Sequence, residues 1–161
     1  MILLIQIFTI CTLAVIIYQD LKDREVYGMA FPVLISLLGT LHYHHTSQID
    51  FLYAILINIA LLIVIVGLLY VYTLIKIKKP FFKEVFGWGD VLFFIGLAIG
   101  FPTVTFIIIF VFSLIFSLLV WLVLKNQAKH NTVPLAGYMA VFLGVVFIAN
   151  WMINTLTLYV I

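Results

Sequence analysis

Charge is what this sequence has least of. Asp, Glu, Lys and Arg make up 9% of its 161 residues, while 66% are apolar. A water-soluble domain of this size covers its surface with polar and charged groups, and too few are present. That excludes a soluble enzyme. Cysteine is nearly absent. Cys11 stands alone, so neither a disulfide framework nor a cysteine zinc site can form. No Lys or Arg precedes Lys22 and no small-residue cleavage site follows the first apolar run. That run is therefore expected to be a permanent span and not a secretory signal. There is no Gly-rich phosphate loop, no Ser/His nucleophile pattern and no nucleic-acid-binding patch. The basic loops are expected to meet anionic lipid.

What is present is a series of long apolar runs. At about 20 residues per span, the chain has room for six. The expected fold is an all-α integral membrane protein, a polytopic bundle of about six transmembrane helices in one domain, residues 1–161. The expected spans are Ile2–Gln19, Val26–Tyr43, Phe51–Ile75, Val91–Phe101, Thr103–Leu124 and Pro134 to the C-terminus. Pro32 is a candidate kink in the second, and Pro80 stops the third. The fourth is short. Eleven helical residues rise only about 17 Å against a hydrocarbon core of about 30 Å. Either that helix starts earlier, near Phe86, or Asp90 lies below the headgroups.

The eight Lys and Arg residues fall in three loops, after spans one, three and five, and none falls after spans two and four. The positive-inside rule then puts those three loops in the cytoplasm and both chain ends outside. His42, His44 and His45 fall on the outer side, where they are expected to be solvated. No metal site is expected.

The topology singles out two carboxylates. Asp20 closes span one and Asp90 opens span four, so both sit at cytoplasmic helix ends and at one depth. Packing of the two helices at about 8–10 Å between axes would bring their side chains together. Ionisable groups at the edge of lipid mark functional sites. Two close carboxylates share a proton and titrate as a unit, which is the aspartic-protease arrangement. Gly87 and Gly89 leave room beside Asp90 for another backbone, either the Asp20 helix or an extended substrate. Gly96 and Gly100 offer a small-xxx-small face for helix packing. Asp23 competes with Asp20 for the first role. Asp20 is preferred because it abuts the apolar span, whereas Asp23 lies between Lys22 and Arg24.

Three stretches carry a family resemblance: Tyr18-Gln19-Asp20-Leu21-Lys22-Asp23-Arg24-Glu25-Val26, Gly87-Trp88-Gly89-Asp90-Val91 and Val133-Pro134-Leu135-Ala136-Gly137-Tyr138. Together with six spans, they resemble the type IV prepilin peptidases and the archaeal preflagellin peptidases, membrane aspartic peptidases with a Gly-x-Gly-Asp motif. Presenilin-type proteases share that motif but have more spans. The resemblance implies Asp20 and Asp90 as catalytic residues, with Gly87, Gly89, Lys22, Arg24 and Pro134 as supporting motif positions and no cofactor. It implies a pilin-like precursor as substrate, with a basic leader removed at the cytoplasmic membrane face. Asp23, Glu25 and Glu84 would meet that leader.

The chain departs from the family pattern at Leu92, where a Lys is usual, at Tyr27-Gly28, where Pro-Asn often stands, and at Gly137, in place of a second proline. It also lacks the Cys-x-x-Cys insert of members that N-methylate their products, and so looks like a peptidase-only short form. The rival expectation is a non-enzymatic transporter or assembly subunit whose acids bind protons or cations.

Overall fold

A computed structural model describes residues 1–77, 87–125, 133–153 and 158–159. The fold is an all-α bundle. Its helices are α1 (Ile2–Asp23), α2 (Ala30–His45), α3 (Gln48–Tyr72), α4 (Trp88–Gly100), α5 (Thr103–Leu124) and α6 (Leu135–Ile153), and α3 ends in a π-helical turn, Thr73–Ile77. Among the described residues, three stretches are long and apolar enough to cross a membrane: Ile2–Asp23, Gln48–Lys76 and Thr103–Leu124. α2, α4 and α6 are shorter. Exposed apolar side chains such as Leu56, Ile63 and Leu68 on α3 and Val111, Phe112 and Leu118 on α5 suit a lipid solvent and not water.

The helix limits differ from expectation in instructive ways. α1 continues through Asp20 to Asp23 because Asp20 is buried against protein and gives the helix no reason to stop in water. Arg24 ends it in the left-handed conformation, with φ 58°. α2 starts at Ala30, four residues late. Pro32 sits in its first turn, where no intrahelical donor is lost, so it does not kink the helix. Extending α2 backwards would drive the Pro32 ring onto the carbonyl of Gly28. α4 begins at Trp88, three residues before the expected Val91 and close to the alternative start near Phe86, and it starts there because Gly87 is extended (φ −80°, ψ 142°). Its 13 residues rise about 20 Å. α5 has the expected limits, set by extended Pro102. α6 is described over Leu135–Ile153 and Leu158 and Tyr159 lie in a turn, while the rest of the expected run to the C-terminus lies outside the described residues.

Hydroxyls within the helices donate to carbonyls of their own helix, as a lipid environment favours. Thr9 donates to Ile5 O at 2.8 Å, Ser113 to Phe110 O at 3.0 Å and Ser117 to Ser113 O at 2.7 Å.

α4 is the axis of the bundle. It packs on α2, α3, α5 and α6. Phe93, Phe94, Leu97 and Ala98 on α4 are fully or almost fully buried, as are Leu34 and Leu38 from α2 and Met139 and Leu143 from α6. The α2–α4 contact is close because glycine makes it so. A Cβ at Gly100 would lie 2.8 Å from Leu38 Cβ, and one at Gly96 would lie 3.5 Å from Ile35 Cγ1. Gly39 on α2 completes the seam, where a Cβ would meet Ile99 at 3.1 Å.

The far end of α4 is held by two buried polar side chains. The C-terminal carbonyls of a helix lack partners in their own helix, and lipid supplies none. Asn58 of α3 donates from Nδ2 to Ala98 O at 2.8 Å and to Phe101 O at 2.9 Å. His42 Nδ1 donates to Ile99 O at 2.8 Å, which leaves the neutral ring with its proton on Nδ1. His42 is wholly buried, which corrects its expected place in a solvated outer loop. Its ring lies against Phe51, with centroids 5.0 Å apart. His44 and His45 are exposed, and the described residues contain no cluster able to hold a metal.

Asn58→Ala removes both donors and leaves two α4 carbonyls without them in an apolar interior. The expected outcome is a loss of about 1–3 kcal/mol in thermal unfolding of detergent-solubilised protein. An unchanged melting temperature would remove Asn58 from this role.

Candidate active site

Asp20 and Asp90 meet, though not by direct packing of their helices. α1 packs on α6 and α2, and α4 packs on α2, α3, α5 and α6, without an extensive α1–α4 contact. The meeting point is the first turn of α6. Ala136 N donates to Asp90 Oδ1 at 2.9 Å, and Gly137 N donates to Asp20 Oδ2 at 2.5 Å. Successive Cα atoms are about 3.8 Å apart, so carboxylates bonded to successive amides are neighbours. At such a separation two ionised carboxylates repel each other.

The sequence creates this meeting point by leaving α6 uncapped. The residue before the helix is Pro134, which has no side-chain acceptor. The free N–H groups of the first turn carry the positive end of the helix dipole and favour anions. α1 and α4 supply two. Pro134 is buried and its carbonyl accepts from Tyr138 N at 3.1 Å, so the motif proline anchors the turn that holds both acids.

Asp90 has a second attachment. It sits in the first turn of its own helix, and its Oδ2 accepts from Gly87 N at 3.3 Å, the acidic half of a capping box. Gly87 has no side chain to return the bond, and Asp90 N instead donates to Gly87 O at 3.2 Å. The carboxylate of Asp90 is thus held by backbone on two sides.

The supporting residues distribute unevenly. A Cβ at Gly89 would lie 3.1 Å from the Phe31 ring, and one at Gly87 would lie 3.1 Å from Asp90's own carboxylate. The space beside these glycines therefore holds a ring and the acid itself, not a second backbone. The backbone that does approach belongs to α6. Lys22 is exposed, and its Nζ donates to Tyr18 Oη at 2.9 Å. Two residues along a helix is a turn of about 200°, which points Lys22 away from the buried face of Asp20. Arg24 is half-buried, with its guanidinium over the Trp121 ring at 5.7 Å. Asp23 and Glu25 are exposed near the dyad end of α1, and Glu84 lies outside the described residues.

Gly137 explains itself once Asp20 is in place. A Cβ there would lie 2.9 Å from Asp20 Oδ2 and 3.1 Å from Asp20 Cβ. The glycine that departs from the family pattern is the position where the Asp20 side chain of α1 lies against α6. Its signal in the sequence is a glycine in the first turn of a helix, directly after Pro134-Leu135-Ala136. Trp121 and the two α6 amides carry no sequence signal of their own. No protein-family model, curated protein or solved structure matches the chain.

Gly137→Ala is expected to push Asp20 off its amide and cost about 1–3 kcal/mol of stability, as overpacking does. Gly144→Ala on the same helix is the control, because a Cβ there meets nothing within 4 Å. Thermal unfolding of the two variants side by side makes the check, and equal melting temperatures would deny the close approach.

Proposed function

We propose that the chain is a membrane aspartic endopeptidase of the prepilin-peptidase type, with Asp20 and Asp90 as its catalytic dyad. The observation that carries this reading is the pair of bonds from Ala136 N and Gly137 N, which hold two acids from separate helices side by side. A helix start needs only one neutral acceptor to be capped. Two carboxylates at one turn repel each other unless they share a proton, so capping alone does not account for both.

The chemistry follows from that shared proton. The ionised aspartate takes a proton from a water held between the pair. The water oxygen adds to the scissile carbonyl carbon while the protonated aspartate donates to the carbonyl oxygen. Collapse of the tetrahedral intermediate breaks the C–N bond, and the amide nitrogen leaves with a proton returned by the dyad. No metal or cofactor is needed for any step.

The substrate in this reading is a type IV pilin-like precursor, cut between a basic leader and an apolar helix at the cytoplasmic face of the cell membrane. Both chain ends lie outside. Support comes from the position of Asp20, one turn from the end of α1, so the acids fall near the membrane edge. Asp23 and Glu25, exposed beside it, suit contact with a basic leader.

The rival reading, a transporter or assembly subunit, needs polar groups leading inward from the acids. On α4 the buried residues beyond Asp90 are Phe93, Phe94, Gly96, Leu97 and Ala98, which offer a proton or cation no ligand side chain.

The test is cleavage of a pilin-like precursor by the purified protein in detergent or vesicles. Asp20→Asn and Asp90→Asn keep an acceptor for the α6 amides, so both are expected to fold and to lose about 10²–10⁴-fold in rate. Asp23→Asn, which leaves the dyad intact, is expected to raise KM for a basic leader and to leave kcat largely unchanged. Cleavage that survives either of the first two substitutions would remove that residue from the dyad.

A further inference from the structure

Gly89 has no conformational reason to be a glycine. It lies in the first turn of α4, and none of the described glycines has a positive φ, so its backbone would suit any residue. Glycine is also a poor helix former beside alanine. The reason is space. A Cβ at residue 89 would lie 3.1 Å from Phe31 Cζ and 3.4 Å from Phe31 Cε2. Phe31 stands in the first turn of α2 and is only 2% exposed, so its ring is packed on its other sides and has little room to give way.

Phe31 is the first member of a row. Phe31, Ile35 and Leu38 stand at i, i+4 and i+7 on α2, which places them on one face. They meet Gly89, Gly96 and Gly100 of α4 in the same order. This row sets the distance between the two helices along their shared length. Phe31 sets it at the level of Asp90, the residue that follows Gly89.

The start of α2 is also tied to the other acid. Tyr27 N donates to Gln19 Oε1 at 2.9 Å, and Ala30 N donates to Tyr27 O at 2.9 Å. Gln19 immediately precedes Asp20 on α1. A path through Gln19, Tyr27, Ala30, Phe31 and Gly89 therefore joins the residue before one acid to the residue before the other. α2 packs on both α1 and α4, which have no extensive contact of their own. It is the intermediary between the helices that carry the dyad.

We propose that Phe31 is a positioning residue of the dyad: its ring, seated against the bare backbone of Gly89, sets the place of Asp90 relative to Asp20. It acts through Gly89 and not on the reacting atoms. Its bearing on catalysis rests on the peptidase reading. The placement it controls can be read without any cleavage, at the amide of Ala136, which donates to Asp90 Oδ1.

The experiment exchanges size between residues 31 and 89. Gly89→Ala adds the Cβ that the ring excludes, and Phe31→Leu removes the ring atoms that stand in its way. One readout is the ¹H–¹⁵N signal of the Ala136 amide, in ¹⁵N-labelled protein in lipid nanodiscs. The other is kcat and KM for a pilin-like precursor. Gly89→Ala is expected to displace the Ala136 signal and to lower kcat by about 10–10²-fold with KM little changed, the size of effect that a misplacement below or near 1 Å produces. The double variant Phe31→Leu/Gly89→Ala is expected to bring back most of both, so it exceeds the single Gly89→Ala variant in rate. Phe106→Leu is the control. It removes a buried ring from the start of α5, at the other end of α4. It should lower the melting temperature and leave the Ala136 signal and kcat in place, which is also what Phe31→Leu would do if Phe31 only filled the core.

An Ala136 signal that Gly89→Ala leaves unmoved overturns the proposal. So does a displaced signal that Phe31→Leu does not bring back. If Gly89→Ala fails to fold, the double variant decides: a restored fold with the Ala136 signal in its original place supports the proposal, and a double variant that also fails overturns it. If the signal moves and returns as expected while no form of the protein cleaves a precursor, the peptidase reading fails and the role of Phe31 in placing Asp90 stands.

Discussion

The first turn of α6 is the constraint on which the site depends. A helix that starts inside a membrane protein cannot leave its N–H groups to water. Pro134 removes the local remedy, because the residue at the cap position has no acceptor in its side chain. The remedy comes from α1 and α4, each of which contributes a carboxylate to a successive amide. One local deficiency thus ties three helices at one point. It also places two acids side by side, although the helices that carry them are not extensive neighbours.

The same logic operates at the other end of α4. That helix is short, and its terminal carbonyls emerge among packed side chains. Asn58 from α3 and His42 from α2 donate to three of them. Between these attachments the glycine seam at Gly96, Gly100 and Gly39 holds α4 tightly on α2. A helix fixed at both ends and along one side has little freedom to slide. Asp90 in its first turn is therefore held in height and rotation by contacts about 15 Å away.

Much of this architecture was legible in the sequence. The apolar runs, the limits of α5 and the small-residue face of α4 follow from hydrophobicity, proline and glycine alone. The choice of two acids at one end of the bundle came instead from the Lys and Arg distribution, which put the end of span one and the start of span four on the same side. What was not legible depended on which way a helix face turns. His42 looked like part of a polar loop in His42-Tyr43-His44-His45, yet it stands four residues after Leu38 and eight after Leu34, on the buried stripe of α2. Asn58 stands four from Ala54 and four from Leu62 on the narrow buried stripe of α3. Both signals were present at helical spacing, but a span that is apolar on every face conceals which face is inward. Lys22 failed for the same reason in reverse. Its motif position suggested support for the dyad, and its helical phase turned it towards Tyr18.

Gly137 shows why a departure from a family pattern can be informative. A second proline at that position would carry no N–H, so it could not make the bond that Gly137 gives to Asp20. Any side chain there would also collide with that carboxylate. Glycine satisfies both demands: it keeps the donor and leaves the space. In this chain Asp20 is consequently attached by a short hydrogen bond to the start of α6. The identity of residue 137 and the placement of Asp20 form one structural solution, and neither can change without the other.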